Sequence, residues 1–291
     1  MTTLSDVLDT SSFEKLADGF VFTEGPLWHP DGFWYFVDVR DSKLYRLVPG
    51  RKTELVRETV GGNGTTFDMQ GRLINCEGDG RRLTVTAADG TVSTLIDQHE
   101  GTRLNRVNDV ICRSDGTLFF TDPALRIPVA ERGAGEGAVY RIAPDGSSHL
   151  VAWCEYPNGL ALSPDERTLY VANTRWTAYI HAIEIDTAGD MVRRRIFADM
   201  SSDVTHGVPD GMKVDAAGRV FCTGPSGVWV FEPDGTHVGI IETPEVTANV
   251  AFGGPDLCTL FLTSSTSVHT MRVKTPGLPV PWYNAARRGR G

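Results

Sequence analysis

Residues 108–122 read NDVICRSDGTLFFTD. An oxygen-bearing side chain precedes a short apolar strand, Ser-Asp-Gly supplies a turn, and a second apolar strand follows. The same order recurs as GPLWHPDGFWYFVD at 25–38, TTFDMQGRLINC at 65–76, NGLALSPDERTLYVAN at 158–173, DGMKVDAAGRVFCTG at 210–224 and NVAFGGPDLCTLFLTS at 249–264. Successive turns lie about 39 to about 51 residues apart, the spacing of four-stranded propeller blades. Regular strand spacing alone would also suit a β-sandwich or two small β-domains. Six copies of one pattern instead predict an all-β, six-bladed β-propeller.

Working outward, third strands are expected at KLYRLV 43–48, RLTVTA 82–87, AVYRIA 138–143, YIHAIEI 179–185 and GVWVFE 227–232. Closing the ring requires a strand from near a terminus, because closure removes an exposed edge; residues 13–22 are the candidate. Residues 5–18 (SDVLDTSSFEKLAD) also read as a short helical lead-in with Ser or Asp caps. The expected organisation is a lead-in over 1–19, a propeller over 20–273 and a tail over 274–291. That tail is rich in Pro, Gly and Arg, and is expected to drape over the surface.

The 291 residues carry 28 Lys+Arg against 37 Asp+Glu, a net charge of −9, with 41% hydrophobic content. This is a soluble globular composition. No basic stripe occurs before Arg287–Arg290, so a nucleic-acid partner is not expected. No apolar run approaches the roughly 20 residues that cross a bilayer, and residues 1–16 lack a basic segment followed by an apolar one. A cytoplasmic protein, monomeric or homodimeric, acting on a small molecule is therefore expected. The five cysteines are scattered singly, which favours buried thiols over disulfides or a structural zinc site.

Aligning the six copies on their turns exposes a ring of oxygen donors. Glu24, Asn63, Asn108 and Asp210 each lie eight residues before a turn glycine, and Asn158 and Asn249 six residues before a turn proline. Equivalent positions on innermost strands converge around a propeller's channel. Carboxylate and amide oxygens without His or Cys form the donor set of a hard divalent cation. Calcium is the first choice, with magnesium, manganese, zinc or iron as alternatives. One Asn or Asp at a strand start usually caps nearby backbone; six at one register are harder to account for in that way.

GluGlyPro at 24–26 followed by Trp28, ArgValAsnAsp at 106–109, AsnGlyLeu at 158–160 and ProAspGlyMet at 209–212 resemble the signature segments of the gluconolactonase, regucalcin (senescence marker protein) and luciferin-regenerating enzyme family. The resemblance runs over about residues 20 to 273. It implies a six-bladed propeller with a divalent metal held by Glu24, Asn158 and Asp210. It also implies that Asn108 contacts the metal or the substrate, and that Arg106 and Asp109 lie beside the substrate. Arg126 departs from the carboxylate that some sugar-lactonase relatives carry there. A guanidinium at that position could hold an acidic group on the substrate or point to solvent.

The insertion at 123–137 is expected to form the rim of the pocket. His206, on the loop entering the channel, is a candidate for proton transfer or substrate contact. Trp153, Tyr156, Arg175, Trp176 and Tyr179 are candidates for a wall of the site, whereas Trp28, Trp34 and Trp229 read as core. No GxSxG, GxxxxGK[ST] or HExxH occurs. The expected activity is a metal-dependent lactonase in which Asp210 or Asp109 activates water and Arg106, Asn108, Arg126 and His206 bind substrate. A phosphotriesterase-like hydrolase and a non-catalytic calcium-binding propeller are the alternatives.

Overall fold

The computed structural model describes residues 2–124, 126–133, 135–203 and 206–283. Its repeating unit begins with a turn that the sequence dictates. Asp68 accepts from Gln70 N and Arg72 N, both at 2.9 Å, and from Arg72 Nε at 2.6 Å. Asp215 does the same for Ala217 N, Arg219 N and Arg219 Nε at 2.9, 2.9 and 2.7 Å. These side chains occupy donors that a tight turn would otherwise leave unpaired. Gly71, inside the first of these turns, has φ of +78°, a left-handed value that strains any residue with a β-carbon.

Six four-stranded antiparallel sheets follow one another along the chain. Blade one comprises Thr23–His29, Phe33–Asp38, Lys43–Leu47 and Glu54–Glu58, and blade two Gly62–Phe67, Leu73–Glu77, Arg82–Thr86 and Val92–Ile96. Blade three comprises Val110–Cys112, Leu118–Pro123, Gly137–Ile142 and Ser148–Trp153, and blade four Pro157–Leu162, Thr168–Asn173, Tyr179–Ile185 and Met191–Asp199. Blade five holds Met212–Val214, Val220–Gly224, Gly227–Phe231 and His237–Glu242. Blade six takes three strands, Thr247–Gly253, Thr259–Ser264 and Ser267–Arg272, from the end of the chain and its fourth, Glu14–Asp18, from the beginning. The closing pair runs from Glu14 opposite Thr270 to Asp18 opposite Ser267. The protein is a six-bladed β-propeller.

The helical reading of 5–18 is corrected: only Leu4–Val7 is helical, and 14–18 is the closing strand. Pairing with Ser267–Arg272 overrides the local helix preference of a polar segment.

Large apolar side chains fill the seams between blades. Trp34 of blade one stacks on Phe261 of blade six with ring centroids 4.4 Å apart, and Trp28, Phe36, Leu44 and Phe67 join the same cluster. Each such side chain contributes about 1.5–3 kcal/mol on burial. Trp28, Trp34 and Trp229 are all buried. Four of the five cysteines are buried and all are free thiols.

The described part of the tail does more than drape over the surface. Leu278 N donates to Val214 O and Gly277 N to Leu257 O, and Trp282 packs against Phe67 at 4.9 Å. Tyr283 is buried, and its hydroxyl donates to Trp28 O. The tail therefore crosses blades five, six, one and two on the face that carries the turns between first and second strands. The remainder, 284–291, lies outside the described residues. Among those residues no helix is long and apolar enough to cross a membrane.

Candidate functional site

The opposite face of the ring, where the innermost strands begin, holds a cavity of about 430 Å³. Clamps at the ends of second strands set the chain entering it. Asp38 accepts from Val21 N and Phe22 N at 2.7 and 3.1 Å, Asp122 from Asn105 N at 2.8 Å, and Asn173 Oδ1 from Tyr156 N at 2.8 Å. Each fixes the backbone two or three residues ahead of Glu24, Asn108 or Asn158.

Glu24, Asn63, Asn108, Asn158 and Asp210 all line this cavity. Asn249, the sixth member of the register, does not; its Nδ2 donates to Glu24 Oε2 at 2.8 Å and its Oδ1 accepts from Val250 N at 2.8 Å. Gly25 N also donates to Glu24 Oε2, at 2.6 Å. Asn249 thus orients a carboxylate from below.

Glycine permits this convergence. A β-carbon on Gly159 would lie 2.2 Å from Asp210 O, and one on Gly211 2.0 Å from the Asn249 amide. The Gly of AsnGlyLeu and the Gly of AspGlyMet therefore let neighbouring inner strands approach at the level of their donors.

The electrostatics of the floor are unfavourable as it stands. Burial, reinforced by Asp109, pushes the Glu24 carboxyl above the usual carboxylate range. Burial, with repulsion from Glu24 and Asp109, pushes Asp210 up well above it, although Asn158 hydrogen-bonds that carboxylate. Asp109 is buried beneath the cavity; burial raises it against the pull of Lys213. The charges of Asp109 and Asp210 thus disfavour ionisation around Glu24 and one another, and the half-buried Lys213 offsets part of this.

Among the described residues no three His, Cys, Asp or Glu side chains come together as a metal site. Amide oxygens would have to complete a donor set. Asn63 Oδ1 and Asn158 Oδ1 are both buried without a hydrogen-bond partner, as is Asp109 Oδ2. Unpaired buried acceptors are uncommon because each costs about 1–3 kcal/mol.

A family model described as SMP-30/Gluconolactonase/LRE-like region matches residues 22–266. The chain belongs to that family. Among its relatives, a gluconolactonase of Zymomonas mobilis is 29% identical over 303 residues, spanning 94% of this chain and 85% of the other. The pentonolactonase XacC of Haloferax volcanii is 32% identical over 249 residues, covering 83% and 81%. The solved structure of XC5397, a gluconolactonase of Xanthomonas campestris, superposes with a TM-score of 0.84 at 33% identity, covering 93% and 92%.

The family's signature segments all reach the cavity or its floor. Arg106 and Arg126 line it together with Arg40, Tyr156, Thr174 and Arg175. Asp109 lies behind, with Oδ1 accepting from Val110 N at 2.9 Å. His206 is exposed and is not part of the lining, so it is not brought to the site. Of the expected wall, Tyr156 and Arg175 are present, Trp176 is 82% exposed, and Trp153 and Tyr179 border a separate depression beside blade four. The insertion at 123–137 supplies Pro123 and Arg126 and is tied to blade two by Arg81 Nη2 donating to Glu131 O at 3.0 Å.

Sequence reasoning missed three residues. Asp79 pairs with Arg106, Nη2 to Oδ1, at 2.7 Å; Lys213 is near enough to Glu24 and Asp109 to pull both carboxyls down; and Thr174 Oγ1 accepts from Asn158 Nδ2 at 2.9 Å. The signal for Lys213 was its place between Met212 and Val214 on an inner strand, where apolar side chains facing the blade alternate with ones facing the channel.

Proposed function

We propose that the protein is a metal-dependent lactonase that opens a small cyclic ester to its hydroxy acid. The observation that carries this reading is the meeting of two carboxylates and several amides, with unpaired buried oxygens among them, at the floor of one small cavity. That donor set fits a hard divalent cation, calcium first. Glu24, Asn158 and Asp210 would hold it, with Asn63 and Asn108 beside them. When bound, such an ion supplies Lewis-acid polarisation of the lactone carbonyl.

The chain's own residues do the rest. Asn249 holds Glu24 in its rotamer by donating to Oε2, and Thr174 fixes the Asn158 amide so that Oδ1 faces the floor. Asp79 anchors the Arg106 guanidinium, whose planar fork has donors left for substrate oxygens. Water must lose a proton to attack the carbonyl. Asp210 reaches the cavity and Asp109 does not, so the Asp210 carboxylate takes the proton and passes it to the ring oxygen as the acyl C–O bond breaks, with Asp109 buried behind it. The membership of lactonases from Zymomonas mobilis and Haloferax volcanii in the same family supports the reaction class.

Acid release followed in a pH-stat tests this, using metal-stripped protein with each divalent ion added back over a panel of lactones and phosphotriesters. Lactone opening that returns with the ion is expected. Asp210→Ala should remove both cation affinity and turnover without shifting the melting temperature by more than a few degrees. Full turnover in that variant or in chelator would refute the metal reading, phosphotriester turnover alone would redirect the substrate class, and silence on every substrate would favour a binding propeller.

A further inference from the structure

The mouth of the cavity carries more positive charge than a neutral sugar lactone calls for. Arg40, Arg106, Arg126 and Arg175 all line it, each from a different connection, on a chain whose net charge is −9. Two of the four are engaged within the protein: Arg106 with Asp79 at 2.7 Å, and Arg40 over the Phe22 ring at 5.0 Å. Arg126 and Arg175 are not. Both are exposed, and among the described residues neither has a carboxylate partner; the Arg175 guanidinium lies over the Tyr156 ring, 5.9 Å from its centroid.

Tyr156 lines the same cavity as all four arginines, with the Arg175 guanidinium over its ring, while Glu24 and Asp210 lie on the floor. The cavity is polarised along its depth. A substrate with its ring carbonyl at the floor would place its opposite end among unpaired arginines, whose forked donors match carboxylate, sulfonate and phosphate oxygens.

We propose that the substrate is a lactone bearing an anionic group at the end remote from its ring carbonyl, and that Arg126 and Arg175 bind that group. This rests on the lactonase reading of the same site. A volume of about 430 Å³ lies toward the small end of ligand pockets, which run from about 300 to 1,000 Å³, and suits a hexonolactone with one acidic substituent. Arg106, held by Asp79, serves the ring oxygens.

The test compares kcat/KM for four hexonolactones that differ only at C6: hydroxyl, carboxylate, sulfonate and phosphate. At least one anionic lactone should exceed the neutral one by about 10- to 100-fold, the effect of a charge-assisted contact in a partly enclosed site. Arg126→Gln and Arg175→Gln should each cut the anionic-to-neutral ratio about tenfold, chiefly through KM, and raising NaCl from 0.05 to 0.5 M should lower the anionic rate selectively. The arm with the largest ratio identifies the acid. Calorimetric binding of the open-chain 1,6-diacid and 1-acid gives a readout independent of turnover.

Equal kcat/KM for neutral and anionic lactones, with a ratio that neither glutamine variant moves, would overturn this inference and leave the lactonase reading intact. If no lactone is opened, the lactonase reading falls; diacid binding that weakens in both variants would still support anion recognition at the rim, and diacid binding that does not weaken would overturn it.

Discussion

Asp122, the clamp behind Asn108, gives a pH-dependent stability prediction that is read without any turnover assay. It is fully buried at the end of the second strand of blade three. Oδ2 accepts from Asn105 N at 2.8 Å, while Oδ1 has no partner. The neighbouring Arg81 spends its guanidinium on the Leu104, Asn105 and Glu131 carbonyls. Burial consequently pushes the Asp122 carboxyl up to about 7 from 3.8. Between these values the folded chain binds a proton that the unfolded chain has released, so stability falls as pH rises from about 4 to about 7 and is level above that. Three pH units at about 1.4 kcal/mol each set an upper bound of about 4 kcal/mol. Asp122→Asn keeps the acceptor for Asn105 N and removes the ionisation. An amide hydrogen left unpaired costs about 1–3 kcal/mol at every pH, so the variant's absolute stability is not the readout. The readout is the difference between variant and wild type in urea melts at pH 5, 6, 7 and 8. That difference should grow in the variant's favour by up to about 3 kcal/mol between pH 5 and 7, the part of the window the series covers, and then stop. All other groups titrate alike in both proteins and cancel. Parallel stability curves would show that Asp122 is ionised throughout and that the reasoning is wrong.

Gly211→Ala should displace Asn249 from Glu24, since the new β-carbon would lie 2.0 Å from the amide; we expect a stability loss of about 1–3 kcal/mol and weaker calcium binding by calorimetry. Tyr283→Phe removes the donor to Trp28 O and should cost about 1–2 kcal/mol in chemical denaturation, and an unchanged midpoint would mean that the tail is not fixed by that contact. Asp210→Ala should lose cation affinity and lactone opening together. The two rim variants, Arg126→Gln and Arg175→Gln, should discriminate between anionic and neutral lactones rather than suppress both.

The inner hairpins were legible because their constraints are local. An oxygen donor, an apolar run and an aspartate-bearing turn, with a glycine of positive φ closing it in four of the six copies, lie within about a dozen residues, and six repetitions make the register visible. Outer strands lack that signature. Glu54–Glu58 and Met191–Asp199 are mostly exposed, so little hydrophobic alternation distinguishes them from loops, and Glu14–Asp18, which lies within the expected closing strand 13–22, also fits a helical reading until its partner 256 residues away is known. In the site, the ring of donors could be found from register alone. That Asn249 braces Glu24 instead of facing the cavity could not, because the distinction depends on how far one strand is set back from its neighbours. Asp79 with Arg106, and Lys213 near Glu24, join residues from different parts of the ring, and no repeat along the chain records how far those side chains reach. His206 illustrates the opposite error. Four residues from Asp210 in sequence, it shares a connection with Val208 and Asp210, which line the cavity, yet it is itself exposed and outside the lining.

The seam between Glu14–Asp18 and Ser267–Arg272 also has a temporal side. Glu14 leaves the ribosome 256 residues before Thr270, its partner. At about 5–20 residues per second, that is a wait of roughly 13 to 50 s. For this interval five blades can form, but the toroid is an open arc with two unpaired edges. A chaperone that shields strand edges should therefore matter most for nascent chains stalled just short of residue 267.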